Sequence, residues 1–262
     1  MPFFPTKIKK RTPNLFHTLV WELKGALSKE GCPICRVVAE DLERFYFWLL
    51  TQNYYEPGTI KELKGCYGLC NLHAWQLISS RQAFVIAVTY EYIVEEALGK
   101  INLALTRLAD ERWRSVPDKR KQREEEKVKK TLAPTGRCPA CENVGETTRN
   151  NLAWLAEGLK EPDVFELYRK SEGLCFRHFL KAVQVCPREI FLKLADDQKA
   201  RLEHLQTDLK EYIRKTNYLY AHEPKGKEQN SWVSAIDRLM GPYIAQAAKW
   251  DRFNRPPVQP VP

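Results

Sequence analysis

A paired cysteine motif occurs twice in this chain and leaves little freedom in how the chain folds. Residues 32–35 read Cys-Pro-Ile-Cys and residues 68–73 read Gly-Leu-Cys-Asn-Leu-His. Residues 138–141 then read Cys-Pro-Ala-Cys, and residues 173–178 read Gly-Leu-Cys-Phe-Arg-His. The copies are offset by 106 residues at the first element (138 minus 32) and by 105 at the second (178 minus 73). Between these anchors Trp48-Leu49 is answered by Trp154-Leu155, and Glu56-Pro57 by Glu161-Pro162. The intervening structure is therefore duplicated along with the cysteines.

Each copy supplies three thiols and one imidazole: Cys32, Cys35, Cys70 and His73 in the first, Cys138, Cys141, Cys175 and His178 in the second. Zinc takes four tetrahedral N and S ligands, and two short-spaced pairs joined by a longer loop can wrap such an ion. Positions i and i+3 share a helix face, so Cys70 with His73, and Cys175 with His178, can address one ion from a first helical turn. The expectation is two zinc ions per chain, each closed within its own copy across loops of 34 and 33 residues that hold folded helices. Three thiolates, one neutral imidazole and a dication sum to minus one, so two such sites lower the formal charge of +9 to about +7. Ligands drawn entirely from protein leave no open position for substrate water, which argues against metal catalysis. Two other chemistries fit a Cys-Pro-x-Cys pair: redox-active thiols at a helix start, and an iron–sulfur centre. A redox pair needs no matched Cys-x-x-His about 35 residues further on, and both copies have one. Cys66 and Cys186 fall outside the repeat and read as buried or free thiols, with Cys66 a spare ligand candidate four residues before Cys70.

Helical patterning fills each copy, and 12 Gly in 262 residues give poor provision for sheet-and-turn folds. Val38, Leu42, Phe45 and Leu49 recur at three and four residues behind a proline suited to a first helical turn. Val94, Leu98, Ile101, Leu105 and Leu108 form a long stripe, as do Phe191, Leu194, Leu202, Leu205, Leu209 and Tyr212; both read as core faces that want a partner helix. The fold expected is all-α: two tandem zinc-binding helical repeats packed through long helices in a pseudo-twofold relation. The boundaries are an N-terminal basic segment and helix over 1–31, a first repeat over 32–109, a charged linker over 110–137, a second repeat over 138–216, a C-terminal elbow and helix over 217–241, and a proline-rich tail over 242–262. Part of the linker has acidic residues following basic ones at helical spacing and can extend the preceding helix.

The beginning of the chain lacks the apolar core of a secretory signal, and no stretch approaches the ~18 apolar residues of a membrane span. A cytoplasmic protein is expected, where Cys-x-x-C pairs favour metal or redox roles over structural disulfides. His17 and His204 lie off the apolar stripes and read as exposed. One further cluster, Tyr218, Tyr220, His222, Glu223 and Glu228, has two readings: a polar ligand pocket, or an elbow that braces the last helix. Phosphate-binding glycine loops, H-E-x-x-H, G-x-S-x-G and di-iron Glu-x-x-His motifs are all missing, so the common enzyme classes lose their signatures. The function this supports is a non-enzymatic, zinc-stabilised adaptor or regulatory protein that works through protein partners. The alternatives are a thiol redox protein or sensor using the two Cys-Pro-x-Cys pairs and, on a pI near 9.1, a nucleic-acid-binding protein.

Taken together, the doubled motif, the Tyr218-x-Tyr220-x-His222-Glu223-Pro224 elbow and the Ser231-Trp232 … Leu239-Met240-Gly241 close resemble a bacterial family known only as a domain of unknown function. The resemblance covers roughly residues 14–241. It implies a shared fold and domain extent and carries no activity, and the linker length and proline-rich tail stand outside it.

Overall fold

A computed structural model of the protein describes residues 24–108, 117–220 and 222–242, and every regular element among them is helical. The N-terminal basic segment, most of its expected helix, and nearly all of the proline-rich tail lie outside the described residues, as does His17.

Each sequence copy folds into four helices in the same order. In the first copy these are α1 (Pro33–Trp48), α2 (Pro57–Cys66), α3 (Asn71–Ile78) and α4 (Ala83–Leu108). The linker helix α5 (Asp118–Leu132) follows. The second copy gives α6 (Pro139–Gly158), α7 (Pro162–Lys170), α8 (Phe176–Ala182) and α9 (Arg188–Thr216), and the chain closes with α10 (Ser231–Met240). Proline opens α1, α2, α6 and α7, where its missing N–H belongs to a group that has no helical partner anyway.

Helix α1 buries Ile34, Val38, Leu42 and Tyr46, four residues at successive steps of four, and runs on through a π-type turn at Leu49–Asn53 that buries Leu49 and Leu50. Glu56 caps α2 by accepting the Thr59 amide at 2.8 Å. That helix ends on Tyr67 in the left-handed region, with the Gly68 amide reaching back to the Leu63 carbonyl at 2.8 Å. The duplicated Gly-Leu-Cys turns have one conformation: Gly68 and Gly173 both have positive φ, Leu69 and Leu174 are buried, and the cysteine that follows is extended.

Two compact units result. Of the described residues, one holds 24–40 and 146–242 and the other 41–108 and 117–145. They do not coincide with the sequence repeats, because the division falls inside α1 and inside α6. The first unit buries Leu27, Ile34, Leu152, Leu155, Leu159, Val164, Tyr168, Leu174 and Leu194. The second buries Leu42, Tyr46, Leu49, Ile60, Leu63, Leu77, Ile93 and Val128.

One expectation changes. The stripe Val94, Leu98, Ile101, Leu105 and Leu108 is exposed, and α4 instead buries Thr89, Ile93 and Ala104. This helix is apolar on more than one side, so periodicity alone does not choose its inner face, and α2 and α5 pack on the face with smaller and mixed residues. Residues 109–116 of the charged linker, where an extension of α4 was expected, lie outside the described residues. Pro117 precedes a separate helix, α5, which returns against α4, burying Val128 and placing Thr131 3.1 Å from Arg107.

Candidate metal centres

Every one of the eight motif residues stands at a helix N-terminus, and the four N-termini are built alike. The carbonyls of Cys32, Cys70, Cys138 and Cys175 accept the amides of Arg36, Ala74, Glu142 and Phe179 at 2.8–3.1 Å. Each of these cysteines is therefore an N-cap residue, and the second ligand of its pair, three residues on, completes the first turn. Cys35, His73, Cys141 and His178 occupy that position.

The structure brings all eight together, but crosswise. Cys32 and Cys35 meet Cys175 and His178, while Cys70 and His73 meet Cys138 and Cys141. Within each group the ligand atoms lie within 4.8 Å of one another. The grouping expected from sequence, with Cys32, Cys35, Cys70 and His73 on one ion, is thus corrected, as is its counterpart in the second copy. Helix length supplies the reason. Cys35 and Tyr46 are eleven residues apart on α1, about 16 Å at 1.5 Å per residue, and the Tyr46 hydroxyl donates to the His73 carbonyl at 3.1 Å. His73 is held beside Tyr46, near the end of α1 opposite to Cys35.

The distances fit one tetrahedral ion per group. Zinc–sulfur bonds of about 2.3 Å and zinc–nitrogen bonds of about 2.0 Å give edges of about 3.8 Å between sulfurs and about 3.6 Å from sulfur to nitrogen. In the first centre Cys35 Sγ is 3.7 Å from Cys175 Sγ, and His178 Nδ1 is 3.5, 3.3 and 3.3 Å from the sulfurs of Cys32, Cys35 and Cys175. In the second, Cys70 Sγ is 3.6 Å from Cys141 Sγ, and His73 Nδ1 is 3.2, 3.7 and 3.3 Å from the sulfurs of Cys70, Cys138 and Cys141. None of these sulfur pairs is near the ~2.0 Å of a disulfide.

Electrostatics favour a cation in both places. In the first centre hydrogen bonds from Cys32 and Cys35 draw the Cys175 thiol far down, while Cys35 is pushed far up by its bond to Cys175 and burial pushes Cys32 up to about 11. Three thiols this close resist carrying negative charge together, and a dication that displaces their protons relieves the conflict. In the second centre burial and the bond to Cys70 push Cys141 up to about 12. Cys70, although burial works the other way, is lowered by the His73 amide and by bonds from Cys141 and Cys138. Burial lowers His73 and so keeps its imidazole neutral and able to ligate. Each centre faces two helix N-termini, whose partial positive charge suits the net anion that a zinc Cys3His site would form.

Several residues that support the centres were not singled out for that role by the sequence. Gly241, just after α10, has φ 83° and ψ 163°, a conformation essentially reserved for glycine, and a Cβ there would lie 2.7 Å from Cys35 Sγ. Arg201 on α9 donates to the carbonyls of Ser171 and Arg169 at 2.8 and 3.1 Å and pairs with Asp197 at 2.6 Å, fixing the approach to Cys175. The Tyr168 hydroxyl accepts the Leu174 amide in the same turn.

The remaining candidates lie elsewhere. The Cys66 thiol donates to the Gly68 carbonyl at 3.1 Å and belongs to neither centre. Cys186 is half-buried and pushed up to about 11 by burial, and His204 is exposed beside Asp208. The C-terminal cluster forms a salt-bridged elbow. Glu223 pairs with Arg214, Glu228 is buried against Lys215 at 2.9 Å, and the Arg214 guanidinium lies over the Tyr220 ring. Tyr218 and His222 are exposed.

The fold and its two centres define an all-helical protein with a pair of crossed three-cysteine, one-histidine clusters that could each hold a metal ion. The chain belongs to the family of unknown function DUF6062, whose profile matches residues 19–246. No curated protein and no solved structure matches it. Among the described residues no helix is long and apolar enough to cross a membrane.

Proposed function

We propose that this chain is a non-enzymatic, zinc-stabilised helical adaptor or regulatory protein that works through protein partners in a reducing compartment. The observation that carries the reading is four protein ligand atoms gathered at tetrahedral spacing in each centre; an ion held by all four would have no position left for substrate. Soft sulfur with imidazole selects zinc over the hard cations, and the exposed apolar side chains of α10, Trp232, Val233, Ile236 and Met240, offer a surface of the kind proteins bind. A redox role for the Cys32–Cys35 pair is disfavoured, since its first thiol is buried and pushed up to about 11 where a nucleophile needs a lowered value.

Elemental analysis and an absorption spectrum of protein purified without chelator test the metal. Two zinc ions per chain and no visible absorption are expected; iron with colour, or metal-free disulfides, overturns the reading. Cobalt substitution tests the absence of catalysis. A closed site gives a tetrahedral thiolate spectrum that azide and cyanide do not alter, whereas a ligand-dependent shift reveals an open coordination position.

A further inference from the structure

The two centres share ligand chemistry and helix-cap construction but differ in access. In the first, Cys32, Cys35 and Cys175 are 5, 8 and 1 % exposed, and Gly241 closes against two of the sulfurs. In the second, Cys141 is exposed and Cys70 and Cys138 are half-buried. The exposed Cys141 sulfur lies 3.6 Å from that of Cys70, which belongs to the other helix of the centre. Attack on a zinc-bound thiolate depends on access to the sulfur, and a second thiolate within reach converts the first oxidation product into a disulfide.

Resting on the zinc reading above, we propose that the second centre is an oxidant-addressed zinc-release site, with Cys141 and Cys70 as the reacting pair and a hydroperoxide as the oxidant, while the first centre is the permanent one. The Cys141 thiolate attacks the terminal peroxide oxygen and the O–O bond breaks. The alkoxide or hydroxide leaves with a proton from water, and Cys141 becomes a sulfenic acid. The Cys70 thiolate then attacks the Cys141 sulfur and the S–S bond forms, releasing hydroxide that is protonated to water. Two electrons pass from the two sulfurs to the peroxide. Zinc, left with Cys138 and His73 and without a redox change of its own, dissociates. A reducing thiol with added zinc reverses the step.

The test uses the full zinc-loaded chain, a graded hydroperoxide, a chromogenic zinc indicator, and peptide mass spectrometry after free thiols are blocked. One equivalent of zinc is expected to leave at least about tenfold faster than the other, with a Cys70–Cys141 disulfide in the same fraction. Cys141→His keeps four ligands and removes the exposed thiolate; it should retain two zinc ions and lose the fast phase. Release of both ions together, or of the buried centre first, or a fast phase that survives Cys141→His, overturns the proposal while leaving the zinc reading intact. Protein purified with no zinc to release refutes the underlying reading instead.

Discussion

The crossed pairing makes a prediction that a count of metal ions decides. Cys32 and Cys175 belong to different sequence copies but to one centre, whereas Cys32 and Cys70 belong to one copy but to different centres. Removing both ligands of the first pair, in Cys32→Ala/Cys175→Ala, should empty one centre and leave the chain with one zinc. Cys32→Ala/Cys70→Ala takes a ligand from each centre and should leave at most weakly held metal in both. Pairing within each copy reverses the two outcomes. The energetic scale is large: a structural zinc contributes on the order of 10 kcal/mol at neutral pH, comparable to the whole ~5–15 kcal/mol of a typical domain. The unit that loses its ion should therefore loosen while the other persists. Native mass spectrometry reads the metal count, and hydrogen exchange locates the loss. In the first variant protection should fall at the starts of α1 and α8 and stay at the starts of α3 and α6. A zinc-free first variant beside a second that keeps one tightly bound ion would refute the crossed assignment.

Gly241→Ala forces a side chain into a glycine-only conformation, with its Cβ 2.7 Å from Cys35 Sγ. At about 3 kcal/mol of strain and 2–4 °C per kcal/mol, Tm should fall by roughly 6–12 °C, and an unchanged melting curve contradicts the packing described. Arg201→Ala removes the donor to the Ser171 and Arg169 carbonyls and the Asp197 ion pair, and urea unfolding should show a loss of about 2 kcal/mol. Arg201→Lys, with one compact charge in place of a fork, should recover only part of it. Glu228 is lowered from its ordinary 4.5 to about 2 by the Gly226 amide and then by Lys215. Its folded value lies below its unfolded one, so its contribution is complete above about pH 5 and fades as pH falls toward 2. The Tm gap between the native chain and Glu228→Gln should accordingly be widest near neutrality and close in acid; a gap independent of pH assigns Glu228 no electrostatic role.

The all-helical fold and the eight residues that gather into the two Cys/His clusters were legible in the sequence, because each rests on a local rule: proline at a first turn, a cysteine cap with its partner three residues on, apolar residues at steps of three and four. What was not legible is long-range. A spacing of 34 residues between Cys35 and Cys70 is compatible with a loop that returns to its origin and with a helix that travels away and stays there. The inner face of α4 was ambiguous for a related reason, since a helix apolar on several sides reports its packing only once its neighbours α2 and α5 are in place.

Helix lengths agree with the exchanged pairing. From Cys32 the chain climbs a sixteen-residue helix and a further π-type turn of five residues, while the way back offers only the ten residues of α2. At 1.5 Å per residue the outward helical leg is about 30 Å and α2 about 15 Å. The same arithmetic holds in the second copy, with twenty residues in α6 against nine in α7. With this mismatch in both copies, the four-residue clusters form by exchange of partners between them. A consequence is that each unit takes the residues of its Cys/His cluster from both copies, so neither copy alone contains a complete cluster.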